Sequence, residues 1–250
     1  MRLRRATVCA LLPLLASLFS ASPPAQAAVY SCGSQGNWFG GHIGQNNPRL
    51  IEGVAGNLTY QGILLCGSDP NGGSNYASGW YMIASPSCCG YMQTGFIYRF
   101  GDPCMRHFSE ERQNSSTGWY DVYGSCASPG EVHTQYDYVW QDSGGAYHGA
   151  MVIDATVFAI AGWSPFENWG TPFVPQFNGE VSHPGSDIPG TAGSEILFNG
   201  IADQDWNNNW YPGCYMQALT YASPSLNKFS STSDGCSWVK SWTNNPNGAS

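Results

Sequence analysis

Turn clusters interrupt this chain at short intervals, and this punctuation constrains its fold more than any other feature. Clusters such as SDPNGGSN, SPSCCG, SSTG and DSGG draw on 31 glycines and 16 prolines that are spread along the sequence. The runs between them are rich in β-branched and aromatic residues, and no window has a long apolar pattern at helical period. Strands are predicted over Leu50–Thr59, Gly79–Ala84, Tyr91–Phe100, Arg106–Gln113, Val132–Gln141, Ala150–Ile160, Phe173–Val181 and Glu195–Ala202. The chain is therefore predicted to be all-β, an antiparallel two-sheet β-sandwich of the concanavalin or lectin-like jelly-roll type.

The first 27 residues have the pattern of an export signal. Arg2, Arg4 and Arg5 supply a positive start, an apolar run follows, and the small residues of Ala25–Ala27 form a cleavage site. The apolar run is too short to span a bilayer as a helix. We therefore expect residues 1–27 to be a signal peptide, residues 28–250 to form a single β-sandwich domain, and the protein to be secreted and extracellular.

Charge disfavours polyanionic partners. Since three of the nine basic residues lie in the signal, six remain against 17 acidic residues, a formal net charge of −11. Nucleic acids and anionic membranes are bound by clustered cations, so neither is an expected partner. Only 10% of the residues are charged while 14% are aromatic, which suits a dry core and an aromatic surface better than disorder.

The cysteine count points to disulfides. Cys9 lies in the signal, and eight cysteines remain, an even number typical of exported proteins that are tied by disulfides. Three pairs share a separation of 22 residues, and we predict those pairings together with one between the two remaining cysteines: Cys66–Cys88, Cys104–Cys126, Cys214–Cys236 and Cys32–Cys89. No CxxC or HExxH spacing occurs, so we expect neither a metal nor a cofactor.

The segment from residue 204 to residue 250 differs from the rest. It carries aromatic residues in DQDWNNNWYPGC and a Ser/Asn-rich end, without clear alternation. This pattern predicts a loop-rich C-terminal part, tied down by Cys214 and Cys236.

Two predicted strands carry polar side chains on one face. In YMQTGFIYRF, Gln93 shares a face with Gly95, and in PQFNGEV, Glu180 shares a face with Asn178. A glutamine amide and a glutamate carboxylate on one sheet face could form a dyad that activates water. We therefore take Gln93 and Glu180 as candidate catalytic residues.

Other catalytic patterns are missing. The chain has no GxSxG motif for a serine hydrolase. Cys88 and Cys89 are more typical of structural cysteines than of nucleophiles, and the five histidines are scattered. Carboxylates are thus the best candidates for general acid–base catalysis.

A series of short motifs resembles the glutamic peptidases of the eqolisin type, secreted β-sandwich proteases with a glutamine–glutamate dyad. In chain order the similar motifs are GNWFGGHIG (36–44), SGWYMI (78–83), YMQTGF (91–96), HFSEER (107–112) and PQFNGEV (175–181). The last motif reads NGEV in place of the family's usual aliphatic and acidic run, and the chain has no propeptide pattern between signal and mature start.

The resemblance implies an acid-active endopeptidase. Gln93 and Glu180 would be its catalytic residues, and Trp80 and Glu110 would bind the substrate or lie close to it. The partner would be a protein or peptide substrate, and we expect the enzyme to act as a monomer.

Two other functions remain open from the sequence. A non-catalytic, lectin-like sandwich would bind polysaccharide by stacking sugars on tryptophans, namely Trp80, Trp119, Trp163, Trp169, Trp206 and Trp210. A jelly-roll glycoside hydrolase would use Glu110 and Glu180 as facing carboxyl groups.

Overall fold

Sixteen strands and one short helix make up the described part of the chain. A computed structural model describes residues 38–44, 50–67, 75–87, 89–170, 172–221 and 229–244. The signal-like segment and Cys32 and Cys88 lie outside these residues. In chain order the elements are β1 (Trp38–Gly44), β2 (Ile51–Thr59), β3 (Tyr76–Ala84), β4 (Tyr91–Arg99), β5 (Met105–Arg112), β6 (Tyr120–Ala127), β7 (Val132–Gln141), β8 (Tyr147–Ile153), β9 (Thr156–Ile160), α1 (Pro165–Trp169), β10 (Val174–Val181), β11 (Gly190–Thr191), β12 (Ser194–Asp205), β13 (Trp210–Pro212), β14 (Met216–Tyr221), β15 (Phe229–Ser233) and β16 (Trp238–Thr243).

The strands form two sheets, which confirms the predicted β-sandwich. The first sheet has seven strands in the order β14-β1-β10-β3-β4-β5-β6. The second has nine, in the order β15-β16-β11-β12-β2-β7-β8-β9, with β13 paired to β12. Neighbouring strands run antiparallel apart from the bridge between β11 and β16. We refer to these as the seven-stranded and the nine-stranded sheet.

The inward faces of the sheets meet in an aromatic core. Tyr81, Phe177 and Phe198 are fully buried, and the Tyr81 ring lies edge-on to both phenylalanines with centroids 5.2 Å apart. Such edge-to-face contacts add to the hydrophobic gain from burial. Because side chains alternate along a strand, the neighbours of these residues in β3 and β10 point to the outer face of the seven-stranded sheet.

Where the predicted strands differ from the observed ones, local geometry gives the reason. The run predicted as one strand over Ala150–Ile160 is a hairpin, β8 and β9, with a turn at Asp154 and Ala155. Both turn residues have positive φ, 52° and 61°. Two-residue hairpin turns require this geometry, and glycine normally signals it. With no glycine here, the sequence contains no visible break.

Strands also occur where none were predicted. The segment predicted to be loop-rich contains β13 to β16, of three to six residues each. Strands this short complete only one to three alternations, too few to show a period of two in the sequence. β1 and β6 were likewise not among the predicted strands.

Two of the predicted disulfides are confirmed. Cys104 bonds to Cys126, and Cys214 bonds to Cys236, each across 22 residues. Cys66 and Cys89 are also disulfide-bonded. Their predicted partners lie outside the described residues, so those two pairings stay predictions.

Candidate active site

Strand register brings the candidate residues to the outer face of the seven-stranded sheet. Glu180 on β10 lies opposite Ser78 on β3, and Gln93 on β4 lies opposite Met82 on β3. Ser78 and Met82 are four residues apart, so they lie on the same face of β3, as does Trp80 between them. The structure therefore places Glu180, Gln93 and Trp80 on one face. Glu110 joins them, because it lies opposite Gln93 on β5.

This face is polar but largely closed to solvent. Gln93 is 6% exposed and Glu180 is 7% exposed. Trp80, Met82, Ile97 and Phe108 on the same face of β3, β4 and β5 pack together in an apolar cluster. The polar groups are thus held among apolar side chains, where their hydrogen bonds and charges act through a medium of low polarity.

Two donors hold the Glu180 carboxyl group. The indole Nε1–H of Trp80 donates to Oε2 at 2.8 Å, and the Tyr76 hydroxyl donates to Oε1 at 3.0 Å. Burial raises the pKa of Glu180, and these two hydrogen bonds oppose that rise. The result is a buried carboxyl group whose proton affinity exceeds that of a free glutamate.

Gln93 is held by Glu110. The amide Nε2 of Gln93 donates to Glu110 Oε1 at 3.3 Å, and the Tyr91 hydroxyl donates to the same oxygen in a short hydrogen bond. Burial raises the pKa of Glu110 to about 8, and the nearby charges of Asp121 and Glu180 contribute to the rise. Glu110 and Glu180 are therefore close enough for their charges to interact, which links the two halves of the site.

Several residues of this site have no role predicted from the sequence. Tyr76 and Tyr91 are each bonded to one of the two glutamates. Asp121 on β6 lies opposite Glu110 and forms an ion pair with Arg99 at 3.1 Å. Tyr91 could have been found by alternation, since it is two residues before Gln93. Asp121 could not, because β6 was not predicted.

The other tryptophans are dispersed. Trp163 and Trp169 pack against each other with ring centroids 5.1 Å apart, and Trp206 packs on Phe166 at 4.6 Å. Trp210 lies edge-on to two tyrosines of β7, and Trp119 lies beneath the Arg112 guanidinium. Trp119, Trp206 and Trp210 stay 62%, 39% and 39% exposed, and the Arg112 that contacts Trp119 lies on the same face of β5 as Glu110.

The described residues contain no group of three or more His, Cys, Asp or Glu side chains arranged to hold a metal ion. They also contain no helix with the length and apolar character needed to cross a membrane.

The fold of this chain is similar to that of a glutamic peptidase. Two solved structures of scytalidoglutamic peptidase are similar to it. One, with a peptide-based transition-state analog, has a TM-score of 0.54 and 12% sequence identity, covering 84% of this chain and 100% of the other. The second, with a transition-state analog inhibitor, has a TM-score of 0.57 and 14% identity, covering 83% of this chain and 98% of the other.

No protein-family model and no curated protein matches the chain by sequence. The likeness confirms at the level of fold the resemblance drawn from the short motifs, and the site residues rest on the geometry described above.

Proposed function

We propose that this protein is an exported endopeptidase that hydrolyses peptide bonds with a Gln93–Glu180 dyad. The observation that carries the proposal is a buried carboxyl group of raised proton affinity on the same sheet face as a fixed amide donor. The glutamic-peptidase fold supports it, since the two similar structures hold transition-state analogs. Peptide or protein is accordingly the proposed substrate.

The chemistry follows from the two side chains. Ionised Glu180 takes a proton from a water molecule, whose oxygen attacks the carbonyl carbon of the scissile bond. A Gln93 N–H donates to the oxyanion that develops, an interaction worth about 2.7–4 kcal/mol for one donor. Glu180 then passes its proton to the leaving nitrogen, the C–N bond breaks, and both products leave with their atoms and charges balanced.

The proton affinity of Glu180 sets the pH range. Because burial raises its pKa, Glu180 ionises at a higher pH than a free glutamate does. Activity that depends on ionised Glu180 therefore falls as pH drops through this raised pKa. The acid activity implied by the family resemblance accordingly has a lower pH limit, which is set by protonation of Glu180.

Export is proposed on two grounds. Residues 1–27 have a signal-peptide pattern, and the described chain contains the disulfides Cys104–Cys126 and Cys214–Cys236. Disulfides persist in oxidising compartments outside the cytosol.

The test is digestion of a denatured protein substrate by the purified mature chain between about pH 3 and about pH 8, a range that includes the ordinary glutamate pKa of about 4.3. We expect Glu180→Gln and Gln93→Ala to lower kcat by about 10²–10⁴-fold, the usual loss for a catalytic acid–base or oxyanion group. Glu167→Gln and Gln217→Ala change the same residue types at exposed positions and serve as controls. Circular dichroism shows whether each variant is folded.

Undiminished cleavage by folded Glu180→Gln or Gln93→Ala would remove that residue from the mechanism. A wild-type protein that cleaves no substrate at any pH would overturn the proposed activity. Polysaccharide pull-down of that protein would then test the carbohydrate-binding alternative.

A further inference from the structure

Behind Gln93, two carboxyl groups lie side by side. Glu110 on β5 and Asp121 on β6 are directly opposite each other in the antiparallel register. Asp121 Oδ1 is buried and has no hydrogen-bond partner among the described residues, and the charge of Asp121 acts on Glu110. A proton between the two carboxyl groups would satisfy that oxygen, and one of the two groups must carry it, because neither carboxylate has a hydrogen to donate.

The surroundings decide which of the two holds the proton. Asp121 Oδ2 accepts from the Arg99 guanidinium at 3.1 Å and from the Tyr123 hydroxyl at 2.5 Å. Asp121 is therefore already the partner of a cation in an ion pair. The side chains bonded to Glu110 Oε1 are both neutral, the Tyr91 hydroxyl and the Gln93 amide.

The other charged and titratable groups around Glu110 agree with this assignment. Glu180 on β10 places a second negative charge nearby, and burial also disfavours an ionised Glu110. Tyr76 on β3 stays neutral because burial raises its pKa far above the ordinary range. Arg112 acts on the neighbouring Tyr91, but its guanidinium is bonded to the carbonyl oxygens of Ser115 and Thr117.

A neutral Glu110 has one oxygen that donates and one that only accepts. Because Oε1 accepts from both Tyr91 and Gln93, we place the proton on the other oxygen, Oε2, and Oε1 is then a carbonyl oxygen that can only accept. Gln93 must therefore turn its NH₂ group, and not its carbonyl oxygen, toward Glu110. One N–H of that group is used by Glu110, and the second stays available for an oxyanion.

We propose that Glu110 is a positioning residue: as a neutral acid that shares its proton with Asp121, it holds the Gln93 amide in the donor orientation that the reaction needs. Arg99 contributes to this arrangement, because its ion pair with Asp121 leaves the shared proton on Glu110. The inference rests on the proposed function, and it gives Glu110 a role other than the substrate contact expected from the sequence.

Ionisation of Glu110 also limits activity at high pH. When Glu110 loses its proton, it places a negative charge close to the developing oxyanion and repels Asp121, and both effects oppose the reaction. Since the pKa of Glu110 is raised to about 8, activity falls as pH rises through that value.

Two substitutions separate positioning from substrate contact and from proton transfer. In Glu110→Gln, the amide keeps a carbonyl oxygen toward Gln93 and an N–H toward Asp121, so it imitates the neutral acid at every pH. In Glu110→Ala, both hydrogen bonds are lost. We expect Glu110→Ala to lower kcat by about 10²-fold with little change in KM, since the loss approaches that of an oxyanion donor. Glu110→Gln should restore kcat to within about tenfold of wild type and abolish the decline above neutral pH.

Three kinetic results would overturn the proposal. Folded Glu110→Gln as inactive as Glu180→Gln would mean that Glu110 must ionise during the reaction. A change confined to KM in Glu110→Ala would mean that Glu110 contacts the substrate. If the activity of Glu110→Gln declined at the same alkaline pH as that of wild type, ionisation of Glu110 would not be the cause of the decline.

An infrared measurement tests the shared proton without relying on activity. In the Glu180→Gln background near neutral pH, the protein should show a protonated-carboxyl C=O band that is lost when Glu110→Gln is added, while the absorption of other neutral buried acids such as Asp137 stays. If the two spectra are identical in this region, Glu110 is ionised and the inference fails, whatever the peptidase assay shows. If wild type has no peptidase activity but the band is found, the proposed function fails while the shared proton stands.

Discussion

The Glu180 carboxyl group combines burial with two neutral donors, and the balance between them sets its chemistry. Burial favours the neutral acid, whereas the hydrogen bonds from Trp80 and Tyr76 favour the carboxylate. A general base must be ionised to accept a proton. The two donors therefore tune the pH at which Glu180 can act.

Replacing Trp80 by phenylalanine should shift the acid limb of activity to higher pH. The substitution keeps an aromatic ring in the cluster but removes the N–H that bonds to Glu180 Oε2. Hydrogen bonds to charged groups contribute about 1.5–3 kcal/mol, which corresponds to a rise in pKa of about one to two units. The measurement is the pH profile of kcat/KM. Trp210→Phe, which changes a tryptophan that packs against tyrosines of the nine-stranded sheet, is the control. An acid limb that stays in place would show that this hydrogen bond does not stabilise ionised Glu180 in solution.

The residues of the site differ in how far the sequence predicts them. Alternation alone places Gln93 on the side of β4 away from Phe96, and Glu180 on the side of β10 away from Phe177, and the structure has both arrangements. Tyr76 gives no such signal, because its bond to Glu180 depends on a strand pairing between residues 104 positions apart. Residues joined only by long-range register cannot be paired by a local pattern.

At the scale of elements, the site depends on how closely β3 and β4 approach. Gly95 on β4 lies opposite Trp80 on β3. A Cβ at position 95 would be 2.0 Å from the carbonyl oxygen of Gly79 and 2.9 Å from the Cα of Trp80. Both are backbone atoms, so relief of the clash would require β3 and β4 to move apart.

Gly95→Ala should therefore destabilise the protein and disturb the site together. Overpacking of this kind costs about 1–3 kcal/mol. We expect a lower urea midpoint and, because Trp80 moves with β3, a lower kcat/KM. Gly118→Ala is the matched control, since a Cβ there has no neighbour within 4 Å. Equal midpoints for the two variants would show that the strands adapt without cost.

Long strands were predicted correctly from the sequence, whereas short strands and strands joined by a tight turn were not. β7 was predicted with its observed ends, Val132 and Gln141, because ten residues of alternation lie between clear turn signals. The β8–β9 turn was missed because Asp154 and Ala155 adopt positive φ without glycine. The omission of β6 had the larger effect, since that strand carries Asp121 and so half of the carboxyl pair.

At the scale of the whole molecule, several buried acids favour their neutral forms. Asp137 is fully buried on β7, where it accepts a hydrogen bond from Thr94 at 3.1 Å, and burial raises its pKa well above the ordinary value. Burial, followed by the charge of Asp205, raises the pKa of Glu52 to about 7. Burial is also the largest cause of the raised pKa values of Glu110 and Glu180.

These shifts give stability a definite dependence on pH. A raised pKa means that the folded chain holds its protons at a pH where the unfolded chain has released them. Unfolding then releases protons, so the free energy of unfolding falls as pH rises from about 4.5, the ordinary glutamate value, toward the folded-state values near 7 and 8. His42 and His107 act in the opposite direction, because burial lowers their pKa and acidification below the ordinary histidine value destabilises the fold. The acids with raised pKa outnumber these two histidines, so their effect on the free energy of unfolding is expected to dominate.

We therefore expect Tm to fall between pH 5 and pH 8, by roughly 2–4 °C for each kcal/mol lost in a domain of this size. Asp137→Asn tests the cause. Asparagine keeps an oxygen that can accept the Thr94 hydrogen bond, but it cannot ionise, so Asp137→Asn should lose less Tm over this range than wild type does. Glu167→Gln, at an exposed position on α1, is the control and should keep the wild-type slope. Differential scanning calorimetry across this range measures all three proteins. Equal slopes for wild type and Asp137→Asn would exclude Asp137 as a source of the effect, and a Tm that rises with pH would mean that the histidines dominate.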